Sequence, residues 1–376
     1  MQHETLVSTQ IMQGLRLTRN DAFTKKLTEN VNNYLKTKQL SRYGSWRILL
    51  KVPILLSIYF IPYILMLTGV IQSTGWMWLM TVVMGLGMAG IGLAIMHDAN
   101  HGTFSKNERI NKLMSYSLEM LGGYHTNWKI QHNVLHHSFT NVHDMDEDIA
   151  PPGVLRFSPN APLKKIHRFQ VLYAWFFYGL MTVSWMTNKD NKQILDYNKR
   201  GLLKSQNKTL GQALRQILIS KVIYYSYVLV LPLIILDQSW WQIVIGLLTI
   251  HFVCGIVLAF VFQSAHVVSD TEFINEVNFK ELNEETSWAK HQMMTTANFS
   301  NWNPLFTWYL GGLNHQIEHH LFPDISHVHY RKISKIVRKT AKEYNVPYHY
   351  HRTFGGAIIN HLAFLNRLGK PVKAAK

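Results

Sequence analysis

"WMWLMTVVMGLGMAGIGLAIM", residues 76–96, carries no formal charge over twenty-one positions, and the residues after it, "HDANHG", turn abruptly polar. Coiled as an α-helix at about 1.5 Å per residue, the run is about 31 Å long, the thickness of a hydrocarbon core of about 30 Å. Three further stretches read the same way: residues 47–69, 217–236 and 240–262, the last also uncharged. Trp76, Trp78, Trp240 and Trp241 stand at span ends, where aromatic side chains bridge lipid and water. A soluble helical protein is the bland alternative, but two uncharged runs of this length are hard to bury in water. The expected fold is an all-α integral membrane protein with four transmembrane helices.

Charge sets the topology. The chain has 376 residues, 38 Lys and Arg against 22 Asp and Glu, and a formal net charge of +16. Lys189, Lys192, Lys199, Arg200, Lys204, Lys208 and Arg215 crowd the loop 188–215, which the positive-inside rule puts in the cytoplasm. Residues 1–45 are also basic, hence cytoplasmic. They carry Phe23, Leu27, Val31 and Tyr34 at helical spacing after a cap at Asn20 or Asp21, as expected of an amphipathic helix lying on a surface. The apolar stretch 169–187 would throw the basic loop outside if it crossed, so it is expected in the interface or packed against protein. Only the loops 70–75 and 237–239 then face outside, with Asp237 as their single charge. The tail 331–376 has 11 Lys and Arg and one acid, and its segment 331–344 spaces Ile333, Ile336, Val337, Ala341 and Tyr344 helically. A basic amphipathic helix favours a membrane surface over nucleic acid. One domain results: a cytoplasmic arm 1–45, a four-span core 46–330 and a basic cytoplasmic tail 331–376. Residues 1–14 lack a signal-peptide pattern. The lone cysteine, Cys254, rules out a disulfide within the chain and cysteine-based zinc or iron–sulfur sites.

Histidine is the unusual residue, at 20 copies. His97 and His101 follow the second span at i and i+4. "QHNVLHH" supplies His132, His136 and His137; "QSAH" supplies His266 past the fourth span; "GGLNHQIEHHLFP" (311–323) supplies His315, His319 and His320. On a helix, i and i+4 side chains share a face. Imidazole binds metal at about 2.0–2.1 Å, so such pairs can chelate. In an α-helix His137 would be turned by about 100° from His136, toward a second centre. Any one of these histidines alone is more often a satisfied polar residue. Eight together, at span ends on one face, call for metal: His97, His101, His132, His136, His137, His266, His319 and His320, about four per ion in a two-metal site. His251, within a span, reads best as a hydrogen-bonded core residue. Spacing by itself stops at a polynuclear histidine site in a cap at the membrane surface.

The set H-x-x-x-H (97–101), H-x-x-x-H-H (132–137) and Q-x-x-H-H (316–320) resembles the membrane fatty acid desaturases. "GGLNHQIEHHLFP" and "HQMMTTANF" (291–299) are similar to the front-end, Δ5/Δ6 subgroup. The resemblance implies that the eight histidines hold two irons, that O₂ is the co-substrate and that an acyl chain on CoA or lipid gains a cis double bond. It puts Gln316 where many members have a ligand histidine, with three roles open: carbonyl ligand, ligand through water, or hydrogen-bond partner. His315 is a weaker candidate ligand, and Asp98 and Glu318 are candidate acceptors that orient imidazole N–H groups. Many eukaryotic members carry a fused cytochrome b5 domain with a His-Pro-Gly-Gly motif. That motif does not occur here, so electrons are expected from ferredoxin or free cytochrome b5 with its reductase. Two rivals remain: a hydroxylase of alkyl or carotenoid substrates on the same scaffold, and a metal-binding membrane transporter. The transporter expects ligands near the bilayer midplane, where only His251 lies.

Overall fold

A computed structural model describes residues 17–44, 46–151, 153–275, 279 and 286–371. The signal-peptide reading of residues 1–14 lies outside them. Four helices are long and apolar enough to cross a membrane: α2 (Trp46–Leu67), α3 (Thr74–Asn100), α6 (Leu210–Ile235) and α7 (Trp240–His266). They fall where the sequence placed them, except that α6 begins at Leu210, within the stretch 188–215 expected as a loop, and two spans end later. α3 and α7 run on to Asn100 and His266, so His97 and His266 occupy the last helical turns of the spans.

α3 is the central helix, packed on both α2 and α7. Its glycines allow this. A Cβ at Gly87 would lie 2.8 Å from the Tyr59 backbone nitrogen, and one at Gly85 would lie 2.8 Å from the Ile250 carbonyl. Small residues let lipid-embedded helices close on one another, where packing rather than water exclusion drives association. The core between them joins Leu55, Tyr59, Met84, Met88, Cys254 and Leu258.

The stretch 169–187 does not form a fifth span. It breaks at Leu180 after α5 (Gln170–Gly179), which packs on α7 while leaving Leu172, Trp175 and Phe176 exposed. The polar segments build a cap of short helices, of which α4 (Glu108–Ser115), α8 (Trp288–Met294), α9 (Gln316–Leu321), α10 (Tyr330–Glu343) and α11 (Phe354–Leu368) matter most. Strands β1 (Ala297–Phe299) and β2 (His349–His351) pair in parallel, Ala297 opposite His349.

Helix α1 (Ala22–Thr37) starts at Asp21, whose carboxylate accepts from the Thr24 backbone N–H. Its apolar face is covered by protein. Phe23, Leu27, Val31 and Leu35 pack on Ile333, Val337 and Ala341 of α10, so the apolar faces of both amphipathic helices are spent on each other and on α8 and α9. The apolar face of residues 331–344 is therefore not free to enter a membrane surface. Periodicity marks an apolar face without naming what covers it.

Candidate metal centre

Four separate segments bring the eight histidines together. His97, His101, His132 and His319 form one group; His136, His266 and His320 form a second; His137, His319 and His320 join the two. Ring centroids are 4.7 Å apart for His97–His101, 4.5 Å for His97–His319, 4.8 Å for His136–His266 and 4.9 Å for His136–His320. His137 stacks on His320 at 4.5 Å and meets His132 edge-on at 4.7 Å. All are buried except the partly exposed His101.

Backbone irregularity aims the rings. Residues Lys129–His136 wind as a π-helical turn, with the His137 N–H donating to the His132 carbonyl. At about 4.4 residues per turn, positions i+4 and i+5 flank position i, so His132, His136 and His137 share one side. The α-helical expectation, with His137 turned toward a separate centre, gives way to a ring between the two groups. A second π-helical turn, Gly92–Met96, leads into His97.

The nitrogens divide by role. Nε2 of His132, His137 and His319 converge at 3.0, 3.2 and 3.4 Å. An ion bound at about 2.1 Å holds neighbouring ligand nitrogens about 3.0–3.4 Å apart, so the spacing fits. Nε2 of His97, His101, His136, His266 and His320 has no hydrogen-bond partner. Buried polar atoms without partners are costly, and inward-facing lone pairs of this kind are the donor set a metal needs.

Nδ1, by contrast, is usually held. His136 donates to Asp146 at 3.0 Å, His320 to the Gln292 side-chain carbonyl at 2.7 Å and His266 to the Thr295 carbonyl at 3.3 Å. His132 faces Asp148 at 3.4 Å and His319 the Tyr330 hydroxyl at 3.3 Å. Such partners fix ring orientation and tautomer at metal sites. Burial, followed by repulsion from neighbouring rings, holds His132, His137, His319 and His320 well below the usual imidazole pKa. They are therefore neutral, the form that binds metal. For His136 burial acts the same way, but Asp146 and Asp148 override it and raise the pKa to about 9.

The remaining candidates sort clearly. Gln316 lies beside His266, and its Nε2 has no partner. His315 is buried but falls in none of the converging groups; its Nδ1 is 3.6 Å from Glu318. Glu318 accepts from Asn298 of β1 and from Tyr348, just before β2, at 2.8 and 3.1 Å, and not from a ring of the eight. Asp98 is 3.9 Å from His97 Nδ1 and is itself held by Ser326 at 2.9 Å and His327 at 2.8 Å. His327 passes the contact to the buried Lys51 of α2, at 2.7 Å. His251 is the core residue expected, bonded to Tyr224 and to Thr182.

Sequence reasoning missed Asp146, Asp148, Gln292, Tyr330, Lys51 and Asn141. Asn141 sits in the left-handed region (φ 57°) and donates to the carbonyls of His266, Glu272 and Thr295, tying the second histidine segment to the end of α7. The available signal was "HDMDEDI" (143–149), an acidic cluster just after a histidine box in an acid-poor chain.

The profile described as "Fatty acid desaturase" matches residues 73–352. An sn-1 linoleoyl-lipid 6-desaturase of Arthrospira platensis is 31% identical over 347 residues, covering 92% of each chain. The protein of that name from Synechocystis sp. is 30% identical, covering 95% of this chain and 98% of its own. An acyl-lipid (8-3)-desaturase of Physcomitrium patens is 33% identical over 93% of this chain and 72% of its own.

Proposed function

Because this chain belongs to the fatty acid desaturase family, we propose that it is a front-end acyl-lipid desaturase, placing a cis double bond between an existing one and the carboxyl end. The observation that carries the reading is the division of the imidazoles: Nε2 unpartnered in five and converging on one another in His132, His137 and His319, while Nδ1 is held in His132, His136, His266, His319 and His320. The names of the relatives support an acyl group on a lipid.

The histidines fit a pair of iron ions. His97, His101, His132 and His319 would hold one; His136, His266 and His320 the other, with His137 between them and Gln316 beside the second. When bound, that pair supplies the O₂ chemistry that attacks an unactivated CH₂, which no side chain can provide. The chain supplies everything around it. Asp146, Asp148, Gln292 and Tyr330 fix the rings before substrate arrives, so no reorganisation is needed during reaction. Trp128 covers His132 at 4.4 Å between centroids and shields that side. We further propose that the site faces the cytoplasm, on the side of the basic loops, and that electrons come from an external carrier.

The test is expression in a host fed defined fatty acids, with mass spectrometry locating new double bonds. A new cis bond on the carboxyl side of an existing one, lost with His136→Ala, is expected. A hydroxylated chain, or metal uptake with unchanged lipids, would refute the proposal.

A further inference from the structure

Among the described helices α10 is the most lopsided. One side is used up internally, as described above. The other presents Arg331, Lys332, Lys335, Arg338, Lys339 and Lys342, all exposed, with Glu343 as the helix's single acid. Lys339 reaches Glu343 at 4.0 Å; among the described residues the other five form no ion pair. Like charges on successive turns destabilise a helix.

Two observations choose the occupant. First, the core beneath α10 draws on α1, α8 and α9 and includes no residue of the four spans. α9, which carries His319 and His320, packs directly against α10, so this one helix separates the basic face from the histidine groups. Second, α10 starts at the metal centre: the hydroxyl of Tyr330, its first residue, is 3.3 Å from His319 Nδ1, and Arg331 follows directly.

We propose that the exposed face of α10 docks a soluble, acidic one-electron carrier protein, with Tyr330 and His319 as the short link from that surface to the site. The inference rests on the desaturase reading. That reaction turns one CH₂–CH₂ pair and one O₂ into CH=CH and two waters, consuming two electrons and two protons. Each docked carrier is oxidised by one electron and leaves, so two visits and two protons from water complete a turnover. A concentrated positive face steers an acidic partner and speeds encounter in a salt-dependent way.

The experiment uses the full chain, iron-loaded, in phosphatidylcholine nanodiscs, as wild type and as Lys335→Glu/Arg338→Glu/Lys339→Glu. The probes are a plant-type ferredoxin and the soluble haem domain of cytochrome b5, each with its reductase. The expected result for at least one probe is a KM for carrier raised about tenfold or more, equivalent to about 1.4 kcal/mol. kcat at saturating carrier, KM for the acyl lipid and iron content stay unchanged, and the salt dependence seen in wild type is lost. Single turnover with dithionite is expected to be equal in both proteins, which shows that the variant is intact; Lys335→Gln/Lys339→Gln, a milder change, should give an intermediate KM. An unchanged carrier KM with weaker binding to phosphatidylserine vesicles would assign the face to lipid and overturn the proposal. An unchanged KM without that loss would make it a solvated face and overturn the proposal equally. If iron-loaded wild type forms no double bond even with dithionite, the desaturase reading itself fails and this inference goes with it.

Discussion

His136 gives Nδ1 to both oxygens of Asp146 at 3.0 Å and leaves Nε2 free, while Asp146 also accepts from the backbone of Asn141 and Asp148. The carboxylate is thus fixed before it fixes the ring. Asp146→Asn keeps the shape and removes the charge; iron affinity should fall about 10–100-fold, read by competition with a chromogenic chelator. Lys51 is a different case. It ends a buried chain through His327 to Asp98, and its ammonium also donates to the Trp308 carbonyl at 2.6 Å. Lys51→Met removes one charge from a buried set, which costs about 3–5 kcal/mol, so the unfolding midpoint in detergent should drop by several degrees. The eight histidines were legible because their side chain has a narrow repertoire when repeated at helical spacing. Asp146 and Lys51 were not, since an acid in a charge run and a lysine in a span look locally like a solvated residue and a snorkelling one.

Elements show the same contrast. The spans could be read from the sequence because length and apolarity answer to a fixed bilayer thickness. The π-helical turn at 129–136 could not, because one extra residue in a helical turn leaves no compositional mark. Close packing of the spans is open to test at Gly87, where a Cβ would meet backbone rather than a movable side chain. Gly87→Ala should therefore lower stability by about 1–3 kcal/mol. In the cap, Leu27→Ala opens a cavity between α1 and α10. It should cost about 2–5 kcal/mol by thermal denaturation, with iron stoichiometry retained because the rings lie on other elements.

For the whole molecule the question is sidedness. Cys254 is buried, so wild type gives little background with a membrane-impermeant maleimide. On a Cys254→Ala background, Asp237→Cys should label from outside intact cells and Lys339→Cys only after permeabilisation; labelling of both from one side would overturn the four-span orientation. The count of spans and the clustering of histidines were both within reach of the sequence. The partner of each amphipathic helix was not, because α1 and α10 meet across about 300 residues, a separation no local pattern encodes. One further consequence follows from the rings arriving on four segments, the last of them at His319 and His320. During synthesis the first two spans leave the ribosome well before the chain that completes either cluster. If the cages hold metal, its loading would therefore come late in biogenesis, and a nascent protein halted before residue 316 would carry no more than part of either nitrogen cage.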